Sequence, residues 1–414
     1  MNILPVKLNI ASYYLVLILL TIGIKSPELL HLSSLSILVM IIAVFHLTLI
    51  SVRPKIHINR KFLAYNIIFF CIVVFYTIIA IIKGKLIYPT YPINIIFFQI
   101  VFFLIIQKIN TAQLIKIFLL ISLINLFFYI IQIIGSLTGI KTLLNLSIIG
   151  AEKTNIELFG ILPRASGLIN EPTHLSYLIF PIIVIYILGN NINYKIKKTI
   201  FIAVFALYMM TFSIIAYFQL IIAVSVKIYR KLSIKTFLIS TITVGLLTII
   251  VMSSTIFSNR LNGIINISKG ETTQETSVLS FQSNFFIAYD VFLKSPFFGD
   301  GLTSHRYNYN LFIYDHFPKL AANDWLGLNQ NDAGSLVILL ISETGLVGFL
   351  FFYIFLFLSL NKFRKDIIGF AFTLSLILLS LRFGNIASVY IILYLMIILN
   401  KLSEIRSIKE ETYI

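Results

Sequence analysis

The sequence predicts an all-α polytopic membrane protein, a single integral membrane domain over residues 1–414. Apolar runs of the roughly 20 residues that a spanning helix needs recur along almost the whole chain. The runs lack the polar–apolar alternation of strands. The composition is 59% hydrophobic and 12% charged, with a mean hydropathy of +0.98. Backbone amides cannot stay unpaired in hydrocarbon, so such runs form helices. In order they fall at 8–24, 34–51, 62–82, 90–107, 114–136, 173–189, 199–212, 213–229, 236–254, 333–360, 367–382 and 387–400. That gives about twelve spans. The pairs meeting at Thr211-Phe-Ser213 and at Phe383-Gly-Asn385 are short enough to be half-helices, so the range is ten to twelve.

Lys and Arg set the orientation, because they concentrate in short cytoplasmic loops. With the N-terminus inside, the inner segments carry Arg53, Lys55, Arg60 and Lys61, then Lys227, Arg230, Lys231 and Lys235, then Lys362, Arg364 and Lys365. Most of the 32 basic residues then lie inside, and the chain reads N-in and C-in. The net charge of +16 follows from basic loops facing anionic headgroups. No basic patch is interleaved with aromatics, which argues against a nucleic-acid partner. The single cysteine, Cys71, falls within a span and leaves no intrachain disulfide. The first apolar run lacks a small-residue cleavage site and reads as a span rather than a signal peptide.

Two outer loops hold the polar residues, at 137–172 and 255–332. The second lies between spans nine and ten and is partly helical, with Phe281, Phe285, Tyr289 and Phe292 at helical spacing before Pro296 and the Gly299-Asp-Gly301 turn. Its aromatics either pack on the spans below or form a platform for sugar rings.

The first loop ends in Arg164-Ala-Ser-Gly-Leu-Ile-Asn-Glu-Pro-Thr-His174. Pro172 suits the first helical position, with Glu171 or Asn170 at the cap. The helix begins at the outer face, so its dipole, its free amides and Arg164 make an anion site there. Ser166-Gly167 lets the backbone approach a ligand. The competing reading pairs Arg164 with Glu171 as a staple.

The tenth span repeats this pattern. Asn331-Asp332 stands at its expected cap, and Glu343 follows on the face of Asp332. An acid in an apolar span is a functional candidate, or else a partner for Arg382. Gly345 and Gly348 leave room for another helix to approach closely.

These residues resemble a known family, over about residues 60–360. The 164–174 segment resembles the R-x-[SG]-G-x-x-x-E-P-[ST] motif of bacterial O-antigen polymerases and their relatives, the O-antigen ligases. Ser295-Pro-Phe-Phe-Gly-Asp-Gly301 resembles the P-x-x-G-x-G turn of that family's large outer loop, and Glu343-Thr-Gly-Leu-Val-Gly348 its E-x-G-x-x-G span. Two departures stand out. Gly334-Ser335 replaces the His-Asn pair usual in ligases, and Ser280-Phe-Gln282 stands where many relatives carry an arginine.

The resemblance implies a GT-C-like, metal-independent glycosyltransferase without a cofactor, in a bacterial inner membrane with its active site facing the periplasm. It would join oligosaccharide repeats carried on undecaprenyl diphosphate, with membrane lipids, a chain-length regulator and a flippase as partners. It puts Arg164 on the departing diphosphate, with Arg260, Arg306 or Arg382 as further clamps and Glu171, His174 or His305 as general base. Ser166, Gly167, Asp300, Asp332 and Glu343 complete the expected substrate-binding set. The alternatives are a ligase that transfers polysaccharide to lipid A core and a polysaccharide transporter or flippase.

Overall fold

The computed structural model describes residues 59–146, 158–159, 162–169, 171–189, 197–231, 262, 276–316 and 329–411. It is overwhelmingly helical. Three of its helices, α1 (Arg60–Ile82), α3 (Thr111–Thr138) and α10 (Leu336–Lys362), are long and apolar enough to cross a membrane. The predicted spans at 8–24, 34–51 and 236–254 lie outside the described residues. The chain divides into two compact units, one holding the described residues from 104 to 231, the other those from 59 to 103 and from 262 to 411.

The first unit is built from α3, α4 (Lys141–Leu144), α5 (Pro172–Leu188), α6 (Lys198–Met209) and α7 (Ile214–Lys231). Asn110 starts α3 with a capping box: its Oδ1 accepts from the Gln113 backbone N–H at 2.9 Å, and the Gln113 Oε1 accepts from the Asn110 backbone N–H at 2.8 Å. Before α5, Leu158–Phe159 (β1) and Leu162–Pro163 (β2) pair as a two-residue antiparallel hairpin. Pro172 occupies the first helical position of α5 and Glu171 its N-cap, although the Glu171 side chain makes no cap hydrogen bond. The apolar run at 199–229 breaks between α6 and α7, where Phe212 takes a positive φ of 44°.

The second unit contains α1, α2 (Thr90–Ile106, up to Phe103), α8 (Thr276–Lys294), α9 (Ser304–His316), α10, α11 (Ile367–Ser380) and α12 (Val389–Glu411). Asn59 caps α1 and also donates to Ser403 of α12 at 2.9 Å. Between α1 and α2, the buried Gln99 Nε2 donates to the Asn66 backbone carbonyl at 2.6 Å and bridges the two helices.

Two expectations about the second unit are revised. Of the two readings of the α8 aromatics, packing on the spans is excluded, since Phe281, Phe285 and Tyr289 point outward and the packed face is Leu279, Ile287 and Val291 against Tyr309, Phe312 and Ile313 of α9. The aromatic face loses because the opposite face carries Ser283 and Asn284, whose hydrogen bonds are satisfied inside the unit. The second correction concerns α10. It starts at Leu336 with Ser335 at the N-cap, because Ala333 and Gly334 have left-handed φ values of 54° and 62°. Asp332 accepts from the Gly334 amide at 3.0 Å instead of capping the helix, and it shares no helical face with Glu343.

Candidate active site

In the second unit, α10 is interrupted at Gly345, whose φ of 62° and ψ of −163° lie in a region reserved to glycine. The Pro296–Gly301 turn docks into this break. Asp300 N donates to Ser342 O at 3.1 Å and Gly301 N to Glu343 O at 2.7 Å. In return, Leu346 N donates to Pro296 O at 2.8 Å and Val347 N to Phe297 O at 3.0 Å. The helix thus recovers the backbone bonds it loses at the break, as buried backbone requires. A Cβ on Gly299 would meet the Glu343 backbone at 2.5 Å, which explains the glycine. The expectation that Gly345 and Gly348 admit another helix is corrected at Gly345, where a loop enters; at Gly348 the Tyr76 hydroxyl of α1 does come close, at 2.8 Å from where a Cβ would stand.

Asp300 anchors the same turn. Its side chain is 4% exposed and meets Lys83 at 2.9 Å and Lys85 at 2.5 Å, and it also accepts from Ser295 Oγ and Asn308 Nδ2. Burial pushes this carboxyl up, but the hydrogen bonds and charges of Lys85 and Lys83 outweigh it and hold Asp300 below the usual carboxylate range. These bonds occupy the group expected to bind substrate.

Beyond the turn lies a cavity of about 260 Å³, lined by Tyr88, Thr90, Tyr91, Asn94, Thr303, Arg306, Asn331, Glu343 and Asn385. Every lining side chain carries a polar group. Thr90, Tyr91 and Asn94 come from the first turns of α2, Arg306 from the start of α9 and Glu343 from α10, two turns past its N-terminus. The Arg306 guanidinium stacks over the Tyr88 ring at 5.0 Å and, among the described residues, makes no ion pair. The backbone amides of His305 and Thr303, at the N-terminus of α9, point at the Glu343 carboxyl. Tyr91 Oη donates to Asn385 Oδ1 at 3.0 Å. Glu343 and Arg306, two of the expected binding residues, therefore meet in one polar cavity.

A second cavity in this unit, of about 450 Å³, is almost wholly apolar. Phe69, Phe75, Phe351 and Phe355 line it together with Leu302 and Thr344. Leu302 and Thr344 each precede or follow by one residue the Thr303 and Glu343 that line the polar cavity.

His305, expected as a general base, is fully buried, with Nδ1 on Ser342 Oγ at 3.0 Å and Nε2 on Asn284 Oδ1 at 2.8 Å. Burial lowers its pKa to about 3, so it stays neutral and ties α8, α9 and α10 together. Neither ring nitrogen is left to face a substrate.

The Arg164 segment belongs to the first unit. Arg164 is 7% exposed, and its Nε donates to Thr211 O, at the break between α6 and α7, at 3.1 Å. Ser166 is buried. The Gly167 amide donates to Gln132 Oε1 at 3.1 Å and the Leu168 amide to Asn125 Oδ1 at 2.9 Å. A Cβ on Gly167, at φ 55°, would collide with Asn125. The close backbone approach expected for a ligand is therefore made to α3. Glu171 is exposed and pairs with His174 at 3.7 Å; among the described ion pairs it does not meet Arg164.

Arg382 follows α11 and approaches Gly334, and among the described residues it forms no ion pair with Glu343. Arg260 lies outside the described residues. Sequence reasoning missed Tyr88, Tyr91, Asn94, Thr303 and Asn385. Their only signal was polar residues clustered where apolar runs begin or break: Tyr88-Pro-Thr-Tyr-Pro-Ile-Asn94 ahead of α2, and Asn385 between the last two helices. No protein-family profile matches the chain, and no curated protein matches it at a significant level.

Proposed function

We propose that the chain polymerises lipid-linked oligosaccharide repeat units into O-antigen or a related surface polysaccharide, with undecaprenyl diphosphate as donor and acceptor carrier. The observation that carries this reading is the all-polar cavity holding Arg306 and Glu343, formed where the P-x-x-G-x-G turn docks into the break of the E-x-G-x-x-G helix. In the chemistry required, an acceptor hydroxyl attacks the anomeric carbon of the donor sugar. The bond to the diphosphate breaks with its electron pair on the diphosphate oxygen, and the hydroxyl proton passes to a base. Arg306 is suited to the leaving diphosphate, since guanidinium is always charged and binds two phosphate oxygens at once. Such stabilisation is worth about 3–4 kcal/mol per well-placed donor. Glu343 is the carboxylate at hand for the proton.

The neighbouring apolar cavity suits the polyprenyl chain of the same substrate, because it begins one residue from both Thr303 and Glu343. The full reading is a GT-C-like protein of about twelve spans in a bacterial inner membrane, N-in and C-in, with this cavity on the periplasmic side. The basic inner loops support that orientation.

The test is deletion of the gene with complementation, followed by gel analysis of surface glycolipid. A polymerase leaves single repeats on the lipid A core, and Glu343→Gln reproduces that pattern. A bare core, with polymer retained on the carrier lipid, identifies a ligase instead.

A further inference from the structure

Thr303 carries two features that folding does not require. Its φ is 68°, a left-handed value that a β-branched residue rarely adopts. Neighbouring bonds hold it there: Leu302 N donates to Tyr76 O at 3.1 Å, and Ser304 N to Gly301 O at 3.3 Å. Gly301, at φ 91°, lies against Ala80 of α1 with no room for a side chain. The segment is thus fixed to α1 on one side and to the break in α10 on the other.

The second feature is the hydroxyl. Thr303 is 6% exposed and lines the polar cavity, and among the described residues its buried Oγ1 has no hydrogen-bond partner. An orphaned buried hydroxyl is rare, because its desolvation goes uncompensated. Glycine would fit this backbone without strain, and an apolar side chain would remove the unsatisfied group. A threonine retained against both penalties, in a cavity shared with Glu343, fits a group whose partner arrives with a ligand.

We propose that Thr303 is a ligand-binding residue, its hydroxyl pairing with a hydroxyl of the acceptor sugar seated beside Glu343. This rests on the glycosyl-transfer reading above and adds to it a residue that discriminates sugars by one hydroxyl. A site built to bond a substrate hydroxyl disfavours the analogue lacking it, because the site's own group is then left unpaired.

The experiment uses the full-length protein in a strain deleted for the gene, complemented with Thr303→Val, Thr303→Ser, Thr303→Gly or Glu343→Gln. Polymer ladders and membrane abundance are measured, and each purified protein is melted in detergent. Thr303→Val, close in shape but without the hydroxyl, lowers polymer by roughly tenfold, the loss of one good hydrogen bond, at unchanged abundance and melting temperature. Thr303→Ser keeps the polymer. Thr303→Gly loses polymer while melting at or above wild type, a combination that a purely structural role does not produce.

A normal ladder from Thr303→Val, with polymer lost in Glu343→Gln, overturns this assignment and leaves the glycosyl-transfer reading standing. A fall in abundance and melting temperature shared by the valine and serine variants, in step with polymer, makes the residue structural and also overturns it. A deletion strain with an unaltered ladder overturns both.

Discussion

The Arg164 segment and the Thr303 turn are both polar stretches threaded among apolar helices, yet they end differently. Around Arg164 the backbone and side chains are bonded into the first unit: Ala165 N to Met210 O at 2.8 Å, Arg164 Nε to Thr211 O, Gly167 N to Gln132, Leu168 N to Asn125. Around Thr303 the backbone is just as firmly tied, but Thr303, Arg306 and Glu343 line a cavity. A cluster of charge in an apolar chain marks a place where polar groups are needed. Whether they serve the fold or a ligand depends on which partners the fold already supplies.

Substitutions that attack the backbone of the second unit break this comparison most severely. Gly345→Val has to abandon a glycine-only conformation and collides with the Phe297 and Gly299 backbone, so it costs about 3 kcal/mol or more. It should strongly reduce folded protein in membranes, read by immunoblot and protease resistance. Gly167→Ala is the counterpart in the first unit. Its Cβ meets Asn125 at a positive φ, and it should lower the melting temperature of detergent-purified protein by an amount corresponding to about 1–3 kcal/mol.

Asp300→Asn comes next. It keeps the shape while removing the charge that Lys83 and Lys85 neutralise. Because those lysines are partly exposed and can rehydrate, a loss of about 1–2 kcal/mol is expected, below the figure for a fully buried pair. Asp300 titrates below its unfolded value, so its contribution is present above about pH 4 and fades as acid protonates it.

The effect of His305 is silent at neutral pH and grows only on acidification. Its folded pKa, about 3, lies below the unfolded value of roughly 6.5, so the unfolded chain binds the extra proton. Stability therefore falls as pH drops from about 6.5 towards 3, by up to about 1.4 kcal/mol per pH unit from this group. His305→Gln should flatten that dependence in melting curves taken between pH 7 and 4. The polymer yield of His305→Gln should track the amount of folded protein, since the imidazole nitrogens are both engaged inside the fold.

The helices were legible in the sequence because apolar length is a direct physical signal. Nine predicted spans coincide with described helices, and the breaks expected at Thr211–Ser213 and Phe383–Asn385 fall between helices. The site was legible only in part. Glu343 stood out as an acid in an apolar span, whereas Arg306 was only one of three further clamps, and nothing in the spacing of residues 296–301 and 342–347 reveals that one segment repairs the broken helix of the other. That is a matter of backbone hydrogen bonds, which leave no side-chain pattern beyond the glycines. Thr303, Tyr91, Asn94 and Asn385 were hidden for a related reason, being ordinary polar residues whose convergence depends on tertiary structure. The outward face of α8 stayed undecided in the sequence because aromatic periodicity is blind to which face finds hydrogen-bonding partners.

The most direct test compares Arg306→Ala with Arg164→Ala in a deletion strain, scoring polymer per unit of folded protein in the membrane. Arg306→Ala should be present at normal abundance and make no polymer, whereas Arg164→Ala should lose polymer together with folded protein. A normal ladder from Arg306→Ala, or an abundant and well-folded Arg164→Ala protein that makes none, would contradict the placing of the chemistry in the Arg306–Glu343 cavity.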